Sequence, residues 1–189
     1  MAFFLGRLAW ALSMAKFWNF VLFQLGWFAC VIGAANHQVF WPVVVTLLYL
    51  ALHIWRSNQA AQEINLLFRA TIFGVSADSL ISLSGFLVFE DPWPSQYLSP
   101  AWMWTLWALV ASTMNGSLSW LRERPILGAA LGAIAGPMSY EAGIRMGAGA
   151  WGPNGQVGGL ILLAIVWGVA IPLFFYWDRV RMSSIKNQP

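Results

Sequence analysis

The sequence predicts an all-α fold: a polytopic membrane helical bundle of about six transmembrane helices, with both termini on the cytoplasmic side. Three observations predict it. Hydrophobic residues make up 59% of the 189-residue chain and charged residues only 9%, against about 25% charged in an ordinary soluble domain. A water-facing surface built from so few charges would be one large apolar patch, whereas a bilayer requires an apolar surface. Six apolar segments have about the length needed to cross a hydrocarbon core roughly 30 Å thick. The basic residues fall at alternate segment ends, as orientation in a membrane demands.

The segments run, in order, over 17–35, 39–55, 64–89, 101–120, 126–146 and 156–177. Before the first, MAFFLGRLAW carries Arg7 inside its apolar stretch. That interruption argues against a cleaved secretory signal, and residues 2–15 read as a short interfacial helix. Only Asn36, His37 and Gln38 separate the first two spans, a tight turn. Pro42 falls in the first turn of the second helix and Pro125 opens the fifth, positions where a missing N–H is harmless. The third segment is long enough that it must tilt or extend past the bilayer. The predicted organisation is an N-terminal segment over 1–16, one transmembrane domain over 17–178 and a basic tail over 179–189.

Orientation follows from charge. With the N-terminus inside, the inner segments hold Arg7, Lys16, Arg56, Arg122, Arg124, Arg179, Arg181 and Lys186, and the outer segments hold no Lys or Arg. The outer loops are EDPWPSQYLSP, with Glu90 and Asp91, and the glycine-rich GAGAWGPNGQ. This pattern places both termini on the cytoplasmic side. Trp41, Trp55, Trp93, Trp102, Trp104, Trp120, Trp151 and Trp177 cluster near span ends, as an aromatic belt does.

The fifth span, ILGAALGAIAGPMSYEAGIRMGA, repeats Gly128, Gly132 and Gly136 every four residues. Small residues at that spacing let another helix approach closely, so this helix is expected at the centre of the bundle. Gly136–Pro137 lies at mid-depth. Proline removes a backbone donor and crowds the preceding turn, giving a kink, or a break that starts a new helix at Ser139–Tyr140–Glu141.

Ionisable groups at membrane depth cost about 2.5–3.5 kcal/mol each and direct attention to function. Arg69, Asp78, Glu141 and Arg145 qualify. Helical rise places Asp78, Glu141 and Arg145 in one outer layer, with Glu141 and Arg145 spaced i,i+4 for an ion pair. The alternatives are an ion pair that fixes two helices, a ligand or proton site, and snorkelling of Arg145 to the interface. A second, inner layer contains Gln24, Arg69 and Asn115, read as interhelical hydrogen bonding and snorkelling or as a cavity lining in which Ser112, Asn115 and Ser119 share a face.

Chemistry-bearing motifs are otherwise lacking. The one cysteine, Cys30, sits in an apolar run and reads as a packing residue. His37 and His53 lie at opposite helix ends and cannot share a metal. No HExxH, catalytic triad or phosphate loop occurs, so no metal, no cofactor, no catalytic residue and no nucleic-acid partner is predicted.

The stretches NFVLFQLGWFACVIGAA (19–35) and SLSWLRERPILGAALGAIAGPMSYEAGIRMGA (117–148) resemble a bacterial inner-membrane family known as domain of unknown function 2878, over essentially all of the chain after Lys16. The resemblance implies no activity, only a connection to envelope lipid metabolism or stress. It gives prominence to Asn19, Gln24, Trp27, Trp120, Arg122, Arg124, Pro125, Gly136, Pro137, Ser139, Tyr140, Glu141, Gly143 and Arg145.

The functional expectation is a membrane protein that binds or transports a small molecule or lipid through a polar intramembrane site. The candidate site residues are Asp78, Ser139, Tyr140, Glu141, Arg145, Gln24, Arg69 and Asn115, with Gly128, Gly132, Gly136 and Pro137 packing helices. One alternative is a structural subunit that binds a membrane-protein partner or a second copy. Another is a lipid-modifying enzyme in which Tyr140, Glu141 and Asp78 supply acid and base groups. Membrane lipids are partners in every case.

Overall fold

The computed structural model describes residues 2–186, and side chains over residues 13–179. The Arg7, Arg181 and Lys186 side chains, used above to orient the chain, and the last three residues of the tail lie outside the described residues. Six α-helices are described: α1 Ala2–Ala35, α2 Phe40–Arg56, α3 Ala60–Leu83, α4 Ala101–Thr113, α5 Pro125–Arg145 and α6 Gln156–Lys186. Two short strands, β1 Leu87–Phe89 and β2 Gly149–Trp151, pair antiparallel with Val88 opposite Ala150.

Three stretches, Ser13–Ala35, Ala60–Leu83 and Gln156–Arg179, are long and apolar enough to cross a membrane, and α2 is a shorter apolar helix. Large apolar side chains face outward on all of them: Leu25, Leu48, Phe68 and Ile161 are each about half exposed or more. That is the surface a bilayer solvates and water does not.

Four sequence expectations change here. The separate interfacial helix is not set off by a break, since α1 is continuous from Ala2. The long third segment resolves into helix to Leu83, a turn at Gly85 and strand β1. The fourth segment is helical only over Ala101–Thr113, roughly 20 Å, with a single 3₁₀ turn at Ser119–Leu121 beyond it. Asn19 of α1 explains that early end. Its amide donates to the Ser112 carbonyl and the Tyr49 hydroxyl, both at 3.2 Å. Its carbonyl accepts from the backbone and hydroxyl of Ser117, both at 2.9 Å. Chain groups that would have continued α4 are satisfied by Asn19 instead. Gly116 is required there, because a Cβ would run into the Asn19 side chain.

The fourth change concerns the centre of the bundle. It is α4, not α5: every α4 residue except Trp104 and Val110 is buried. A helix that is apolar all round belongs in a core. α4 packs against α1, α2 and α3, while α5 packs chiefly against α6. The glycine stripe makes that second contact. A Cβ at Gly132 or Gly136 would collide with Trp167 of α6, and one at Gly128 would press on Ile171 at 3.2 Å. α5 is uninterrupted through Pro137, so no new helix starts at Ser139.

Candidate functional site

The two packing groups, α1 with α4 and α5 with α6, leave a cleft between them. α1 and α5 do not pack against one another along their lengths. The cavity holds about 590 Å³, within the range of small-molecule sites. Its floor is α4, through Trp102, Met103, Leu106, Trp107, Val110 and Thr113. One wall is α1, through Phe20, Phe23, Gln24, Trp27 and Val31; the other is α5 from Gly128 to Ile144, with Trp167 and Ile171 of α6 behind. Ser117, Leu118 and Leu121 bound one end, and Leu87, Phe89, Ala148 and Gly149 of the strand pair bound the other. Among the described residues, no Asp, Glu, Lys, Arg or His lines it.

The walls run in one direction and converge toward the strand pair. A Cβ at Gly147 would meet Ala35 at 3.5 Å, and one at Gly143 would meet Val31 at 3.9 Å. One turn further down, Trp27 Nε1 donates to Ser139 Oγ at 2.9 Å. These three pairs share one register, four residues apart on each side, with Gly147 just past the end of α5. Below Trp27 and Ser139 the helices separate, and Phe20, Leu131, Ala135 and Met138 are exposed at the mouth. The opening therefore faces the flank of the bundle.

Behind the wall lies the most buried charge-bearing group among the described residues. Asp78 is 0% exposed. Its Oδ1 accepts from the Tyr140 hydroxyl at 2.6 Å, and its Oδ2 from Trp107 Nε1 at 2.7 Å. No basic side chain touches it among the described residues. Two donors in place of a counter-ion are what keep a buried carboxyl tolerable. Trp107 also stacks on Trp167, with centroids 4.3 Å apart and planes 12° from parallel. The buried Trp167 Nε1 lies beside the Tyr140 hydroxyl without a well-formed hydrogen bond. Gly74 of α3 and Gly136 of α5 have no side chain because the indoles lie against their backbones. Gly74 and Asp78 are one turn apart, so a single face of α3 both seats Trp107 and binds its N–H. Asp78 thus fixes two residues of the cleft wall, Tyr140 and Trp107.

A second polar cluster occupies the arginine-rich end. Glu63 of α3 and Asp178 of α6 are buried, at 6% and 8% exposed. Arg122 Nη1 lies 2.6 Å from Asp178 Oδ2. Asn115 Nδ2 donates to Glu63 at 2.9 Å and approaches Asp178 at 3.5 Å, while its carbonyl accepts from Arg122. His53 Nε2 lies 3.3 Å from Glu63 Oε2. Arg179 donates to the Arg122 carbonyl and lies 3.1 Å from Glu123. The network ties α2, α3 and α6 to the turn after α4.

At the strand-pair end, Glu141 accepts from Arg145 Nε at 2.6 Å, from Trp151 Nε1 at 3.0 Å and from Gln156 Nε2 at 3.0 Å. His37, in the turn between α1 and α2, and Asp91, in the loop after β1, pair at 3.2 Å.

The residues singled out from sequence therefore disperse. Tyr140 and Asp78 meet, and Ser139, Tyr140 and Gln24 line the cleft. Glu141 and Arg145 pair with each other but do not meet Asp78. In the other layer, Gln24, Arg69 and Asn115 stand apart: Arg69 is exposed and lies over the Trp177 ring at 6.0 Å, and Asn115 joins the arginine-rich network. Cys30 is buried between Thr46 and Thr105, at 3.6 Å from each hydroxyl. Glu63 and Asp178 were missed because the hydropathy windows begin at Ile64 and end at Trp177, one residue short of each. The i,i+3 relation of Glu63 to Leu66, in a run whose periodicity starts at Ala60, was the available signal.

The fold and site define a class: a small helical bundle with helices suited to a membrane, holding a charge-free cleft open to its flank. Residues 16–173 match the family described as Protein of unknown function (DUF2878), and the chain belongs to that family. Comparison with curated proteins and with solved structures finds no match.

Proposed function

We propose that this chain is a multi-pass protein of the bacterial inner membrane, with its arginine-rich end cytoplasmic, that binds an apolar molecule drawn from the bilayer through the gap between α1 and α5. The observation that carries the reading is the position of the cleft. Both ends are bounded by chain, the lining carries no charge, and the mouth lies on the same apolar flank that the outward side chains of α1 and α5 occupy. A molecule that is dissolved in lipid reaches such a mouth without entering water.

The shortness of α4 fits a membrane setting. A 13-residue helix cannot bridge a bilayer alone, but its flanks are covered by α1, α2 and α3, so its ends need not reach lipid. The turn after α4 and the strand pair bound the two ends of the cleft, so the irregular backbone falls at the ends of the bundle and not along the middle of its apolar flank. Binding is favoured over catalysis because both Asp78 oxygens are committed to cleft-wall donors, a positioning role.

The test is native mass spectrometry of the purified protein. The wild type is expected to retain a bound apolar species. Ala135→Trp, which fills the mouth, is expected to lose it, while Leu25→Trp on the outward face of α1 retains it. Equal retention by both variants contradicts the proposal.

A further inference from the structure

Most polar groups on the cleft wall are already engaged. Ser139 Oγ accepts from Trp27, and Tyr140 and Trp107 donate to Asp78. The Thr113 hydroxyl donates to the Val110 carbonyl at 2.6 Å, and Ser117 donates to Asn19. Gln24 differs. It lines the cleft, it is half-buried, and its amide has no hydrogen-bond partner among the described residues. It lies one turn below Trp27, where α1 and α5 have separated, roughly 16 Å along the helix from Ala35. A primary amide offers two N–H donors and a carbonyl. In an apolar setting such a group is costly until it is bonded, and the occupant of the cleft is what can bond it.

We propose that Gln24 binds the single polar group of that occupant, an uncharged long-chain molecule bearing a carbonyl or hydroxyl oxygen. This rests on the cleft being a site for an apolar molecule from the bilayer, and adds the chemistry of its recognition. The amide N–H donates to the ligand oxygen, and the amide carbonyl accepts from a hydroxyl. A charged group is selected against, because the lining holds no ion of either sign and an unpaired charge there keeps its full desolvation cost. Phe20, Phe23 and Trp27 flank Gln24 on α1 and place apolar contact on either side of the polar one. The α5 wall, roughly 24 Å long from Gly128 to Ile144, receives the chain.

The experiment is competition in lipid nanodiscs against a diazirine-bearing hexadecane, read as labelling of α4 and α5 peptides. Competitors are hexadecane, 2-hexadecanone and palmitate. The ketone is expected to displace the probe at about five-fold lower concentration than the alkane, the gain of one net hydrogen bond, and palmitate is expected to be the weakest. Gln24→Leu is expected to erase the ketone's advantage and leave hexadecane unchanged. Equal competition by ketone and alkane in the wild type, or a ketone advantage that survives Gln24→Leu, overturns the assignment of Gln24 while leaving the cleft reading in place. Absence of labelling inside the cleft overturns the cleft reading itself. The wild-type series needs no variant, so a folding defect in Gln24→Leu does not spoil the test.

Discussion

Trp107 of α4 and Trp167 of α6 stack face to face, and each is pressed on its side by a glycine, Gly74 and Gly136. The arrangement joins four helices through two indoles and allows no methyl group between backbone and ring. Gly74→Ala and Gly136→Ala are each expected to destabilise by about 1–3 kcal/mol, the range for overpacked cores. Gly128→Ala, whose Cβ would press only on the Ile171 methyl at 3.2 Å, is expected to cost less than either. Thermal unfolding in detergent checks the order.

Asp78 is the acceptor that holds this arrangement to the cleft wall. Asp78→Ala strands two buried donors, and a loss of about 2–4 kcal/mol is expected. Tyr140→Phe removes one donor and leaves Trp107 in place, so a smaller loss is expected. The two substitutions are expected to be non-additive in a double-mutant cycle, with the coupling absent between Asp78 and the distant Arg145.

At the arginine-rich end, Arg122 is the cation against the buried Asp178. Arg122→Ala leaves that carboxylate buried and unpaired, with an expected cost of about 3–5 kcal/mol. The double variant Arg122→Met with Asp178→Leu is expected to recover most of it, measured by the same unfolding assay. Glu141→Gln, in the cluster at the other end, is expected to leave the unfolding transition nearly unchanged, as for a solvent-screened ion pair.

Orientation is testable through the native cysteine. Cys30 is buried and expected to be unreactive toward maleimide. A cysteine placed at Ser95, in the loop between β1 and α4, is expected to label with an impermeant maleimide in intact cells. One at Ser57, in the turn between α2 and α3, is expected to label only after the membrane is opened. The reverse pattern overturns the cytoplasmic placement of the arginine-rich end.

The helices were legible because apolar run length and turn residues such as Asn36 and Pro125 act locally. The end of α4 was not, because the reason for it sits in α1: Asn19, a hundred residues away, takes the groups that continuing helix would have used. The Gly128–Gly132–Gly136 stripe announced a close helix contact, but a periodicity does not name the partner. Depth along each helix placed Asp78 and Glu141 in one layer, yet depth carries no rotation about the helix axis. One residue of rotation turns Tyr140 inward to Asp78 and Glu141 outward to Trp151. Gln24 was readable as a polar residue at membrane depth; that it faces a cleft depends on α1 and α5 parting below Trp27.

The central claim, that the gap between α1 and α5 admits apolar molecules from the bilayer, is tested most directly by photolabelling in nanodiscs with a phospholipid carrying a diazirine at the end of its acyl chain, followed by peptide mapping. Labels on the cleft residues Leu106, Val110 and Met138 are the predicted result. Labels confined to outward residues such as Leu25, Ile72 and Ile161, with none on α4, would contradict it.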